Sequence, residues 1–148
     1  IPLSLLSVLA MRGGTYNFEI VLGCLLLLWA TDIGAYFAGT YLGKRKLFER
    51  VSPKKSWEGA AGGAAFAGLV AFVLGVYFKS HEPWEWYCIA ALIVVGGTLG
   101  DLVESLFKRS IAIKDSGSTI PGHGGFLDRF DGLLLSTPFI VTFVKIFS

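Results

Sequence analysis

Two aspartates, Asp128 and Asp131, stand three residues apart just after a turn rich in glycine, Pro121-Gly-His-Gly-Gly125. In a helix that spacing puts both carboxylates on one face. Two close carboxylates repel each other and favour a divalent cation between them. Hard oxygen ligands beside phosphate point to Mg²⁺. Pro121, Gly122, Gly124 and Gly125 break any helix through the turn and allow a backbone whose N–H groups can meet phosphate oxygens. Lys108, Arg109, Lys114 and Arg129 flank the turn and bring positive charge suited to a polyphosphate. A metal clamp, a phosphate-contacting turn and several cations make up the equipment of transfer at phosphorus, where catalysis is mostly positioning and charge neutralisation. Taken residue by residue, the same stretch is also an ordinary basic loop before a helix N-terminus that favours Asp.

Further acids weigh against that simpler account. Asp32 and Asp101 lie inside long apolar runs, where an ionisable group costs roughly 2.5–3.5 kcal/mol on insertion scales. Counted from the ends of their runs, Asp32 lies ~15 Å and Asp101 ~10 Å deep. These values predict similar depths on neighbouring helices. Asp101, Glu104, Ser105 and Lys108 recur at helical spacing within an arc of ~100°. A Glu104–Lys108 ion pair would explain part of this pattern, but Asp32 and Asp101 have no basic residue within a turn and imply a polar cavity or a metal. Tyr36, four residues after Asp32, is a candidate to hydrogen-bond there.

The elements that must hold these groups are apolar helices. The chain has 148 residues, 53% of them hydrophobic and only 16% charged, and its mean hydropathy is +0.63. A soluble domain is less apolar. Apolar stretches cover residues 18–42, 59–78, 84–107 and 132–147, and 1–11 reads as part of a preceding helix. A helical span needs ~20 apolar residues. No sustained alternation argues for strands. The fold class expected is all-α: one membrane-embedded bundle of transmembrane helices with two basic cytoplasmic loops. Six basic residues, Lys44, Arg45, Lys46, Arg50, Lys54 and Lys55, fall between the first two spans, and Lys108, Arg109, Lys114 and Arg129 between the last two. Two intervening spans put both loops on one side, and the positive-inside rule makes that side cytoplasmic. Trp84, Trp86 and Tyr87 read as an aromatic belt on the far side, with His81 there too. Gly59 and Gly63 have the small-xxx-small spacing of close helix packing, within a run that also holds Gly62 and Gly68. Cys24 and Cys88 sit in apolar runs and read as free thiols.

From Ser105 to Asp131 the chain reads S-x-x-K-R-x-x-x-x-K-D, a spacer, then P-G-H-G-G-x-x-D-R-x-D. This resembles the signature of the phosphatidate cytidylyltransferase family, with every fixed position present over 27 residues. Ser52-Pro-Lys-Lys-Ser-Trp-Glu-Gly59, Thr31-Asp-Ile-Gly-Ala-Tyr36 and Gly100-Asp-Leu-Val-Glu-Ser105 are similar to the family as well. The resemblance covers nearly the whole chain. Family members usually carry more N-terminal membrane helices, so the chain looks like a catalytic C-terminal portion.

The resemblance implies attack of a phosphatidate oxygen on the α-phosphorus of CTP, giving CDP-diacylglycerol and pyrophosphate in phospholipid biosynthesis. It implies Mg²⁺, with a second cation, K⁺ among the candidates. Asp128, Asp131 and Asp101, joined by Asp32, would hold metal. Asp128, Asp131, Asp101, Lys108 and Arg129 would carry catalysis. Lys54, Lys55, Ser56, Glu58, Ser105, Arg109, Lys114, Asp115, His123, Gly124 and Gly125 would contact CTP or the lipid head group. His123 is favoured as a hydrogen-bonding rather than acid–base group, because phosphatidate is already anionic and pyrophosphate leaves readily. The expected partners are CTP, phosphatidate and membrane lipids. No nucleic acid is expected, and a homodimer is left open. The expected location is the bacterial inner membrane. A CTP-dependent polyprenol or lipid kinase is the alternative. A CDP-alcohol phosphotransferase is disfavoured because Asp131-Gly132 is followed by leucines rather than by that family's motif. A transporter is disfavoured because no inverted repeat is visible.

Overall fold

The computed structural model describes the backbone of residues 11–12, 15–16, 18–48, 52–79, 81–110 and 127–147, and the side chains of 18–47, 55–79, 81–100, 102–103, 105–106 and 135–147. Four helices dominate: α1 (Glu19–Tyr41), α2 (Trp57–Tyr77), α3 (Pro83–Ser110) and α4 (Leu127–Phe147). Local chemistry marks their starts. Glu19 places an acid in the first turn of α1, where the helix dipole favours it. Pro83 opens α3 at the position where a missing N–H is harmless. The Glu85 carboxylate accepts the N–H of Glu82 at 3.3 Å and so satisfies a donor that the helix leaves over. In α4 Pro138 interrupts the backbone ladder, and the Thr142 hydroxyl donates to the Pro138 carbonyl at 2.8 Å.

Among the described residues α1 and α2 are long and apolar enough to cross a membrane, and Leu135–Phe147 of α4 is a shorter apolar helix. Their outer faces remain apolar, with Trp29, Phe37, Leu69, Phe72 and Val76 all exposed. That is how a helix meets lipid tails rather than water.

Glycines set the α1–α2 contact, the most extensive in the molecule. A Cβ on Gly34 would lie 2.6 Å from the Phe66 Cβ and 2.7 Å from the Gly62 carbonyl oxygen, and one on Gly62 would collide with the Ala38 Cβ. Gly63 faces the Thr31 carbonyl, and Gly59 faces Ala35 and Gly39. The small-xxx-small reading of Gly59 and Gly63 is therefore realised, with Gly62 part of the same seam. Gly68 is not: a Cβ there would have no neighbour within 4 Å.

The core is built from Cys24, Leu27, Ala67, Ala71, Ile89, Ile93 and Ile140, all buried. Both Cys24 and Cys88 are free thiols. Trp86 corrects its assignment to an aromatic belt, since it is fully buried. Its ring lies against the backbone of Gly23, where no Cβ would fit, and 5.8 Å from the ring of Phe78. Trp84 and Tyr87 are exposed, so the belt reading fails for the one position whose helical phase points inward.

Strands, not expected from the sequence, are present as two short antiparallel pairs. β1 (Met11–Arg12) pairs with β2 (Thr15–Tyr16), and β3 (Lys46–Phe48) with β4 (Ser52–Ser56). Strands of two to five residues are too short to show a period of two, and Ser-Pro-Lys-Lys-Ser carries none of the β-branched or aromatic residues that mark a strand. The first basic loop is thus an irregular hairpin, with Lys46 paired to Ser56.

Candidate active site

Successive helices run antiparallel, and their contacts fix a register. Along α1 and α2, Gly39 meets Gly59 and Thr31 meets Gly63. Between α2 and α3, Gly75 meets Pro83, and the Lys55 ammonium donates to the Thr98 carbonyl at 3.5 Å. Between α3 and α4, a Cβ on Gly96 would lie 2.6 Å from the Ser136 Cβ, and at the other end Trp84 packs edge-on against Phe143 at 5.9 Å. One end of the bundle therefore gathers the C-terminal end of α1, the β3–β4 hairpin, the N-terminus of α2, the C-terminal end of α3 and the N-terminus of α4.

The predicted residues on α3, on the start of α4 and in the hairpin have their backbones at that end. Asp101 lies five residues beyond Gly96, and Asp131 five residues before Ser136. The antiparallel register of α3 and α4 brings their backbones level, with Asp128 one turn further out near the level of Glu104. The α3 helix is continuous to Ser110, so Asp101, Ser105 and Lys108 keep the helical spacing read from the sequence, followed by Arg109. The α4 helix begins at Leu127, five residues before the apolar run, so Asp128, Arg129 and Asp131 lie within its first turns. The side chains of Asp101, Lys108, Arg109, Asp128, Arg129, Asp131 and Lys54 are outside the described residues. So, in full, are Lys114, Asp115, His123, Gly124 and Gly125. Among the described residues no cluster of three or more His, Cys, Asp or Glu side chains is close enough for a metal.

The hairpin residues have well-defined places. Ser56 is buried and caps α2: its hydroxyl oxygen accepts the Gly59 N–H at 3.1 Å, as an N-cap serine does. Glu58, in the first turn of α2, accepts the N–H groups of Lys44 at 3.2 Å and Arg45 at 3.2 Å. The Trp57 N–H donates to the Arg45 carbonyl at 3.0 Å. Glu58 thus pins the exit of α1 to the entry of α2 and sets the pose of the basic hairpin between them. The cap was not read from the sequence, where Ser56 stands among the substrate contacts and is followed by the glycine-rich Trp57-Glu-Gly-Ala-Ala-Gly-Gly63. Nor was the Glu58 latch, because it joins residues 13 and 14 apart across a turn. Ser56→Ala should lower stability by about 1 kcal/mol, read as a shift of the unfolding midpoint in detergent; an unchanged midpoint would mean the cap contributes nothing.

Asp32 stands apart. Its helix level is that of Gly63 to Phe66 on α2, since Thr31 meets Gly63. Gly75 meets Pro83, so in the antiparallel register Thr98, three residues before Asp101, stands near the level of Ala60 on α2. Asp32 is therefore about eight residues deeper than Asp101, roughly 12 Å along the axis, and the expectation of a common depth is corrected. The depths counted from sequence assumed that both apolar runs end at one plane, whereas α3 continues past its run to Ser110. Asp32 and Tyr36 are also exposed, because the opposite face of α1, carrying Gly34, Ala35 and Ala38, is turned to α2. The side chains of Asp101 and Glu104, with which Asp32 and Tyr36 were expected to share a polar cavity, lie outside the described residues.

Chemically, three carboxylate-bearing positions on α3 and α4, backed by a lysine-bearing hairpin, suit a hard divalent cation and phosphate groups. A family model described as the Cytidylyltransferase family matches residues 1–147. Curated relatives include phosphatidate cytidylyltransferases of Bacillus subtilis (strain 168), 42% identical over 134 residues that cover 90% of this chain and 50% of that protein, and of Haemophilus influenzae, 44% identical over 86% of this chain and 46% of that protein. A third, from Brucella suis, is 40% identical over 98% of this chain and 54% of its own length. The chain spans about half the length of the curated relatives it matches. With the match running from its first residue to the last turn of α4, and the acids of α3 and α4 held at one end of the bundle, the chain belongs to the cytidylyltransferase family.

Proposed function

We propose that this chain, within the protein it belongs to, transfers the cytidylyl group of CTP to phosphatidate in the membrane. A phosphatidate oxygen forms a bond to the α-phosphorus of CTP, the bond from that phosphorus to the bridging oxygen of the β-phosphate breaks, and pyrophosphate leaves. The observation that carries this reading is the α3–α4 register, which sets Asp101 level with Asp131 at the end of the bundle that also bears Lys54 and Lys55. The relatives are phosphatidate cytidylyltransferases, and that supplies the substrates of this reading.

Asp101, Asp128 and Asp131 would hold Mg²⁺. Bound there, the ion would neutralise phosphate charge and orient the triphosphate. Asp32, deeper along α1, is left out of the set proposed. Lys55, tied to the Thr98 carbonyl one turn below Asp101, would place its charge against the lipid phosphate or the triphosphate. Lys108, Arg109, Lys114 and Arg129 would supply the remaining countercharge. Ser105, Asp115, His123, Gly124 and Gly125 would contact substrate, while Ser56 and Glu58 would serve by holding the hairpin. The bundle would cross the membrane with this end on the cytoplasmic side, where the basic residues collect.

The test is direct. The full-length protein in detergent micelles or vesicles is given CTP labelled at the α-phosphate, phosphatidate and Mg²⁺. Label should enter the lipid phase with release of one pyrophosphate per lipid. Label that stays in water as CDP would mean transfer of the γ-phosphate, hence a kinase. Label that stays as CTP with a folded protein would overturn the reading.

A further inference from the structure

Between α2 and α3 runs an open cavity of about 300 Å³, lined by Ala64 and Gly68 from α2 and by Tyr87, Ala91, Val94 and Val95 from α3. Its walls are apolar, and small side chains make it a trough rather than a filled seam. The contrast with the α1–α2 contact is sharp: there the glycines are closed by the neighbouring backbone, whereas here Gly68 faces open space for 4 Å.

The trough has a direction. On α3, Tyr87, Ala91, Val94 or Val95, and Thr98 form one stripe at helical period. From Tyr87 to Val95 it extends ~12 Å along the helix. Thr98 is bound to the next turn down, its hydroxyl donating to the Val94 carbonyl at 2.8 Å, and its own carbonyl receives the Lys55 ammonium. One turn further lies Asp101 at the candidate active site. One turn past the end of the trough's lining at Val94 and Val95 thus lies a cation, Lys55, beside that site, while the trough itself is apolar and at the depth of a candidate membrane span.

Resting on the function proposed above, we infer that this trough seats an acyl chain of the anionic glycerophospholipid substrate, with the phosphate head at Lys55. A phosphate beside an ammonium and a hydrocarbon tail along alanines, glycine and valines match the trough end for end. A polar or peptide ligand would leave its hydrogen-bonding groups unsatisfied there.

Two measurements test it. Gly68→Leu should fill the trough without a steric clash. The ratio of kcat/KM for long-chain over dihexanoyl phosphatidate should fall about tenfold, the discrimination an apolar pocket provides. A purely structural defect would lower both values together, and equal falls or no change in the ratio would overturn the inference. The second measurement needs no turnover. Phosphatidate with a diazirine at its acyl terminus, photolysed with the full-length protein, should label residues within 64–68 or 87–95. Excess phosphatidylcholine of the same chain length should fail to compete. Labelling elsewhere, or competition by phosphatidylcholine as effective as by unlabelled phosphatidate, would overturn the acyl-seat assignment. Labelling in the trough by a protein that makes no CDP-lipid would instead sink the proposed reaction and leave the lipid seat standing.

Discussion

Asp131→Asn in the full-length protein is expected to lower kcat/KM by about 10²–10³-fold, the range seen when a group that stabilises charge in the transition state is removed. Asparagine keeps the size of the side chain and removes its charge, so a metal or phosphate electrostatic role is lost while helix packing is kept. Asp131 is level with Asp101 across the α3–α4 seam, so Asp101→Asn should fall in the same range, with an unfolding midpoint close to that of the parent. The effect should not add in the double variant, because two ligands of one ion act as a unit. Asp32→Asn provides the contrast. Some two turns deeper and on the outer face of α1, it should cost far less than Asp131→Asn. Equal losses at Asp32 and Asp131 in folded protein would reinstate Asp32 as a member of the cluster, and near-normal turnover in Asp131→Asn would remove that residue from the site.

The second large effect concerns stability. Gly62→Leu should destabilise the α1–α2 pair by at least the ~1–3 kcal/mol typical of overpacking, because its first added atom already meets the Ala38 Cβ and lies 3.0 Å from the Gly34 carbonyl oxygen. The backbone, unlike a flexible side chain, cannot move aside. Gly34→Leu should behave likewise against Phe66 and Gly62. Gly68→Leu, facing open space on the same helix, should leave the unfolding midpoint within ~0.5 kcal/mol of the parent. Denaturant titration followed by tryptophan fluorescence separates the cases: Trp86, buried against the α1 backbone at Gly23, reports loss of packing. If Gly62→Leu and Gly68→Leu proved equally tolerated, the close helix approach would not be the source of stability. If both were severe, the cost would lie in helix interiors generally rather than in this seam.

Both predictions place weight on the end of the bundle where the helices meet the hairpin. That end is held by modest interactions. The Ser56 cap and the Glu58 latch fix the hairpin relative to α1 and α2. Lys55 then ties the hairpin to α3. In the proposed reaction the cations must be in place before the phosphates arrive, since positioning rather than bond-making by the protein carries the rate.

The helices were legible in the chain because apolar runs long enough to span a bilayer have few other stable forms. Their limits were close as well: 18–42 became Glu19–Tyr41, and 59–78 became Trp57–Tyr77. The signature from Ser105 to Asp131 was legible as chemistry because acids, cations and glycines occur there within one short segment. Family membership follows from the same residues. Register was not legible. Periodicity reports which face a residue occupies on its own helix, not which residue of the next helix stands beside it, so Asp32 and Asp101 could be assigned similar depths from sequence and differ by about eight residues in the fold. Trp86 shows the same limit, since a tryptophan near a helix start can be a surface anchor or a core residue, and only the glycine opposite, Gly23, makes room for it inside. The hairpin was missed for another reason: strands this short are specified by their pairing and by the Glu58 latch, 13 and 14 residues from its partners, and not by their own composition. Pairing across helices is a property of surfaces that meet only after folding, which is why the acids could be found one by one while Asp101 and Asp131 could be matched only through Gly96 and Ser136.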